Sequence, residues 1–298
     1  MLATGCRTLF LIMLSLALVG CQTTGITYPN TNRVDAEHVI AYLAKPEGDG
    51  PFPAVMLLHG CSGLEKSGAY MAWRGIRTHA STLNKAGFVT LIVDSHGTRG
   101  YTLEWSWRNS CGAGRNVPDR FLDVTGAIRY LESLPYVKPG VGAVGFSQGG
   151  GVVIGALGWK PGIFHKSVLA AGVAFYPPCV GGPRLVPPTY QYAPSLILIG
   201  GADNWTPSSQ CETFIERMTF RTTNRKVDDD SLPVYVPEIV VYPGAHHSFD
   251  KPWTRMVRTP IGTTMASDPG ATRDARNRMI AFFKVHLGQG ASARASLP

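Results

Sequence analysis

Acidic side chains are scarce in this 298-residue sequence: 20 Asp and Glu stand against 28 Lys and Arg, and charged residues of both signs make up only 16%. With 44% hydrophobic residues, that excludes a disordered chain, which combines few apolar residues with high net charge. The surplus of base, formally +8, is not gathered in one place. Arg99, Arg108, Arg115 and Arg120 are well separated, and the densest group, Arg221, Arg225 and Lys226, is followed at once by Asp228, Asp229 and Asp230. No nucleic-acid partner is expected, because such binding leaves a clustered basic patch. C-x-x-C and H-x-x-x-H spacings are both missing, so no metal site is expected either. No repeat, low-complexity tract or linker divides the chain. No apolar run reaches the roughly 20 residues of a membrane-spanning helix; Leu9–Val19 stops at about eleven.

That run has the length of a secretory core. It follows Arg7 and ends in Leu18-Val19-Gly20-Cys21, a string that resembles the bacterial lipoprotein signal, in which cleavage leaves a lipid-modified cysteine as the new N-terminus. The resemblance implies a signal peptide over 1–20, lipid at Cys21, a flexible tether over 21–34, and membrane contact on the periplasmic side of the envelope. Gln22 resembles the residue found in lipoproteins sent on to the outer membrane. An ordinary signal peptide with a chance cysteine is the plainer alternative. An exported chain sits where disulfides persist. Setting aside Cys6 and Cys21 leaves Cys61, Cys111, Cys179 and Cys211, with three possible pairings. The strand order below brings the 61 loop near 94–111 and the 179 loop near 203–211, which favours Cys61–Cys111 and Cys179–Cys211 over four buried thiols.

From residue 35 to 288 short apolar runs alternate with helix-like segments, ahead of a loose tail over 289–298. Ala54–Leu58, Phe88–Val93, Val141–Phe146, 167–175, Ser195–Ile199 and Glu238–Tyr242 read as strands, several of them apolar without alternation, as strands buried on both faces are. Val39–Ala44 is a further strand. Helical spacing appears over 69–86, Pro118–Leu134, Gly149–Gly158, Ser208–Thr219 and Ala271–Leu287. The expected fold class is α/β: one domain with a mostly parallel central sheet and helices on both faces.

Gly145-Phe146-Ser147-Gln148-Gly149 is a G-x-S-x-G string, only moderately specific alone. Here it leaves a buried strand and opens a helix, the context in which a serine is exposed on a sharp turn. A serine hydroxyl needs a positioned base to take its proton. In this fold the acid and then the histidine follow at the ends of later strands. Asp203 comes after Ser195–Ile199, and His246 and His247 after Glu238–Tyr242. Asp203 as a mere helix cap, or one histidine as a pocket wall, are the bland alternatives. An oxyanion would need two backbone donors: Gln148 after the nucleophile, and Cys61 in the loop after the 54–58 strand. His59 suits bracing that loop, since it precedes Ser147.

These strings together resemble the dienelactone hydrolase family of the α/β-hydrolase superfamily: L-L-H-G-C-S-G-L (57–64), V-D-S-H-G-T-R-G (93–100), G-F-S-Q-G-G (145–150), G-A-D-N-W-T-P (201–207) and Y-P-G-A-H-H-S-F-D (242–250). The resemblance implies His247 as catalytic base with His246 at a variable position, Asp203 as the orienting acid, and hydrolysis of a small-molecule ester or lactone without a cofactor. Dienelactone hydrolase itself carries cysteine at the turn, so Ser147 points to a serine esterase. Arg99 lies in a matching string and could meet an acidic substrate or serve in a salt bridge; Trp205 and His246 are candidate pocket walls. A prolyl-oligopeptidase-like peptidase shares the triad order but has a gating domain for which this chain has no room. A non-catalytic envelope lipoprotein on the same fold is the rival outside enzymes.

Overall fold

A computed structural model describes residues 23–288 except 33, 65–71, 162–167, 182–184, 186, 226–231, 252–255 and 260–261. The expected signal peptide, Cys21 and the tail over 289–298 lie outside the described residues.

Eight strands form one sheet in the order β1-β2-β4-β3-β5-β6-β7-β8. They are β1 (Thr24–Pro29), β2 (His38–Ala44), β3 (Ala54–Leu58), β4 (Val89–Asp94), β5 (Gly142–Phe146), β6 (Ala171–Phe175), β7 (Ser195–Gly200) and β8 (Glu238–Tyr242). β1 and β2 run antiparallel to their neighbours and the other six are mutually parallel. The long helices are α1 (Ala72–Lys85), α4 (Val117–Ser133), α5 (Gln148–Leu157), α6 (Ser208–Thr223) and α7 (Pro269–Gly288); α2 (Ser95–Thr98), α3 (Leu103–Trp105) and a π-helical turn over Ser106–Cys111 fill the passage from β4 to α4. Two strands, β9 (Val257–Arg258) and β10 (Thr264–Met265), pair as a small ladder.

The pleat explains the two layers. In β3, Val55 and Leu57 enter the core shared with Ile76 and Leu83 of α1 and Met279 and Phe283 of α7. Ala54, Met56 and Leu58 enter the opposite core, with Val124 and Ile128 of α4 and Val152 and Val153 of α5. Both faces of the central strands are thus covered, as their unbroken apolar runs require. The loops after β3, β5, β6, β7 and β8 all leave at the strands' carboxyl ends, the edge where open α/β sheets gather ligand-contacting groups.

The tether expected over 21–34 is in part a strand. Thr24–Pro29 pairs with β2, Ile26 opposite Ala41, and Tyr28 is buried with its hydroxyl donating to the Asp123 carbonyl at 3.0 Å. Thr-Gly-Ile-Thr-Tyr has the β-branched and aromatic residues of an edge strand, so the described sheet includes residues ahead of 35. Among the described residues no helix is long and apolar enough to cross a membrane.

Disulfides join Cys61 to Cys111 and Cys179 to Cys211. The second closes a separation of 32 residues, for which chain entropy gives about 4 kcal/mol. Replacing Cys179 and Cys211 together by Ala is expected to lower the urea midpoint accordingly; a midpoint equal to that of the oxidised wild type would contradict this.

Candidate active site

The turn from β5 to α5 holds Ser147 at φ 53°, ψ −120°, a left-handed conformation that a side-chain-bearing residue adopts only when its surroundings enforce it. The enforcement is steric. A Cβ on Gly145 would meet the Gly149 carbonyl oxygen at 2.2 Å, and one on Gly149 would meet the Leu58 and His59 carbonyl oxygens at 2.4 and 2.5 Å. The Ser147 N–H donates to the Phe175 carbonyl of β6 at 2.9 Å, and its own carbonyl accepts from the Gly151 N–H at 3.1 Å.

Three strand ends converge on this serine. Ser147 Oγ and His247 Nε2 are 3.0 Å apart, and His247 Nδ1 lies 2.8 Å from Asp203 Oδ2. Asp203 is itself fixed: Oδ1 accepts the Trp205 and Thr206 N–H groups at 2.8 and 2.9 Å, and Oδ2 the Thr206 hydroxyl at 3.0 Å. Burial pushes the Asp203 carboxyl up, but His247 and these amide donors outweigh it and hold the acid below its ordinary value. The His247 ring is gripped between Tyr176 at 4.6 Å and Trp205 at 4.8 Å between ring centres. Tyr176 donates its hydroxyl to Asp250 Oδ1 at 2.7 Å, and the other oxygen of Asp250 lies 2.7 Å from His79 Nε2 on α1. Thr206, Tyr176, Asp250 and His79 are supports the sequence reading missed. Thr206 and Asp250 lie inside family-like strings, whereas Tyr176 and His79 lie in none.

A cleft of about 610 Å³, open mouth included, lies over Ser147. Trp107, Tyr176, Trp205 and Met265 wall it, with Gly60 and Cys61 from the loop after β3 beside Ser147. A Cβ on Gly60 would sit 3.5 Å from that of Ser147. The disulfide to Cys111 ties this loop to the end of the π-helical turn, whose Trp107 stacks on Trp205 at 5.7 Å. Gln148 is the first residue of α5, so its N–H has no acceptor within the helix.

Two candidate pocket residues belong elsewhere. Arg99 does not line the cleft: its guanidinium donates to both oxygens of Asp123 at 3.0 Å, to Glu37 and to the Ser95 carbonyl at 2.9 Å, away from the cleft. His246 is also absent from the cleft walls. His59 is buried, with Nδ1 2.7 Å from the Gly60 carbonyl, and burial followed by the nearby Arg120 cation holds its pKa well down.

Behind the cleft lies a buried polar cluster. Gln148 Oε1 accepts from Arg120 Nη1 at 2.8 Å, Asn116 Nδ2 at 3.2 Å and Ser110 Oγ at 3.3 Å, while its Nε2 donates to the Ser110 carbonyl at 3.0 Å. Asn116 Nδ2 also approaches His96 Nε2 at 2.7 Å, and His96 Nδ1 lies 2.9 Å from Ser106 Oγ. Asn116 can only donate there, so His96 is neutral with its proton on Nδ1. Burial, then the Arg120 and Arg99 charges, lower its pKa to about 3. Among the described residues no group of three or more His, Cys, Asp and Glu is arranged to hold a metal ion.

The sequence model of the Dienelactone hydrolase family matches residues 39–287. A Bradyrhizobium protein named "Probable 2-oxo-3-(5-oxofuran-2-ylidene)propanoate lactonase" is 26% identical over 259 residues, 85% of this chain and 92% of the relative. Two solved structures share the fold. One, from Klebsiella pneumoniae and provisionally named a dienelactone hydrolase, has a TM-score of 0.64 at 20% identity and covers 89% of this chain and 98% of its own. The other, a dienelactone hydrolase-like promiscuous phosphotriesterase from metagenomic libraries, has a TM-score of 0.63 at 20% identity, covering 90% of this chain and all (100%) of its own.

The neutral His96 makes folding sensitive to acid. Unfolded, it titrates near 6.5; folded, only at about 3, so between those values the unfolded chain holds the extra proton. Stability therefore falls as pH drops from about 6.5 to about 3, and His59 acts in the same direction. His96→Gln should show a shallower loss of urea stability between about pH 7 and about pH 4.5 than wild type; an equal slope would count against this origin.

Proposed function

The chain belongs to the dienelactone hydrolase family and is a carboxylic ester hydrolase, and from that premise we propose that Ser147 is its nucleophile, working through an acyl-enzyme on a small ester or lactone. The observation that carries this reading is the continuous relay from Ser147 Oγ through His247 to Asp203, at 3.0 and 2.8 Å. His247 Nε2 accepts the hydroxyl proton as Oγ attacks the carbonyl carbon. Asp203, held as a carboxylate, fixes the His247 tautomer and stabilises the imidazolium. The carbonyl oxygen becomes an oxyanion between the Gln148 and Cys61 N–H groups. Collapse of the tetrahedral species breaks the ester C–O bond, and the leaving oxygen takes the proton from His247. Water, deprotonated by His247, then attacks the acyl-Ser147 carbonyl and releases the acid. Trp107, Tyr176 and Trp205 make the walls apolar and flat, which suits a planar unsaturated or aromatic acyl group.

We further propose that the chain is exported, with Cys21 as a lipid attachment point on the periplasmic side of the envelope. The string Leu18–Cys21 supports this, and so do two disulfides, which accord with an oxidising compartment.

Ser147→Ala should lower kcat on p-nitrophenyl acetate by about 10⁴-fold or more and abolish labelling by a fluorophosphonate probe; folded Ser147→Ala that turns over or labels like wild type would sink the nucleophile assignment. Asp203→Asn should cost about 10⁴ in kcat, and retained activity would remove the acid from the relay. In cells fed radioactive palmitate, Cys21→Ala should lose the label; a wild-type protein that never takes it up overturns the anchor.

A further inference from the structure

Arg120 is buried in α4, 2% exposed, yet makes no ion pair among the described residues. Asp123, whose field it feels, has both oxygens taken by Arg99. The Arg120 guanidinium is bound instead by two neutral acceptors: Nη1 donates to Gln148 Oε1 at 2.8 Å and Nη2 to the His59 carbonyl at 2.5 Å. Burial lowers its pKa only to about 10, so it is cationic at neutral pH. A buried cation facing neutral dipoles is costly; a methionine of similar length would fill the space without that cost.

The two acceptors are the informative part. Gln148 bears one proposed oxyanion donor on its own backbone, and its side chain is the hub through which Arg120, Asn116 and Ser110 hold the start of α5. The His59 carbonyl begins the peptide run His59-Gly60-Cys61 that ends at the second proposed donor. The same carbonyl oxygen lies where a Gly149 Cβ would strike it, so the loop and the elbow are already in van der Waals contact there. One guanidinium thus bridges both arms of the oxyanion hole from behind. Its charge lacks a permanent partner on the same side of the sheet end where a negative charge arises only during the reaction.

Resting on the hydrolase reading above, we infer that Arg120 is a positioning residue for the transition state: it sets the spacing of the Gln148 and Cys61 N–H groups and biases their surroundings towards the transient oxyanion. Bound ester, being neutral, gains little from either effect. The consequence is a loss that falls on kcat and leaves KM in place.

The test is steady-state kinetics on p-nitrophenyl acetate with Arg120→Met, Arg120→Lys and Gln148→Glu, each checked for native near-UV circular dichroism. Gln148→Glu keeps the side-chain shape while pairing the Arg120 charge with a permanent carboxylate. Affinity for a trifluoromethyl ketone, which forms a charged tetrahedral adduct, is compared with that for the matching methyl ketone. Arg120→Met and Gln148→Glu should each lower kcat about 100-fold with KM within about twofold. They should weaken the trifluoromethyl ketone by a similar factor and leave the methyl ketone unchanged, with Arg120→Lys closer to wild type. If Arg120→Met does not fold, Gln148→Glu alone decides between these outcomes. An active, labelled wild type whose folded variants keep kcat, or lose both ketones equally, overturns the inference alone. A wild type that neither turns over nor labels at Ser147 overturns the hydrolase reading and this inference with it.

Discussion

The contact between Gly149 and the carbonyls of Leu58 and His59 sets how closely β5 and β3 can bring their ends together, and the site is built around that approach. With hydrogen as its only side chain, residue 149 lets the first turn of α5 rest on the loop after β3, where any Cβ would be within 2.5 Å of backbone oxygen. Ser147 is held in its left-handed conformation by the same packing, with Gly145 under the turn and the Phe175 carbonyl across it. The Ser147 hydroxyl, one amide of α5 and the loop carrying Cys61 therefore arrive at one point because of a steric limit, before any side-chain hydrogen bond is counted.

Polar support is layered around that point. On the β7–β8 side, Asp203 saturates its oxygens with Trp205, Thr206 and His247, and Asp250 performs a parallel task for Tyr176 and His79. On the α4 side, Gln148 collects Arg120, Asn116 and Ser110. Each set is buried and joined to its neighbours, so charge-bearing groups are kept rigid in a medium where their interactions are strong. Arg99, Asp123 and Glu37 form a separate ionic knot, which fastens α4 to the antiparallel edge of the sheet near β1 and β2.

Much of this was legible along the chain for a definite reason. β3, β5 and β7 are apolar on both faces, so their ends, and with them Ser147 and Asp203, are marked by where the apolar runs stop. His247 follows from chain order and from the family-like string, which also sets it apart from its neighbour His246. What could not be read is pairing between distant polar residues. Tyr176 and Asp250 are 74 positions apart, His79 and Asp250 171, and no local pattern marks either partner. Arg99 shows the converse: a string match gave it a place in the family without telling whether its charge faced substrate or Asp123. β1 is hidden because only one of its six side chains, Tyr28, is buried, so no alternating apolar pattern marks it.

That edge strand also changes the geometry of the attachment proposed at Cys21. Fourteen residues of free chain would let a lipid-anchored domain range nearly 50 Å from a bilayer. With β1 beginning at Thr24, only Gln22 and Thr23 lie between it and Cys21, a reach of about 10 Å. A domain held on so short a leash would stay within about 10 Å of its anchor, so its β1 end could not swing far from the headgroups.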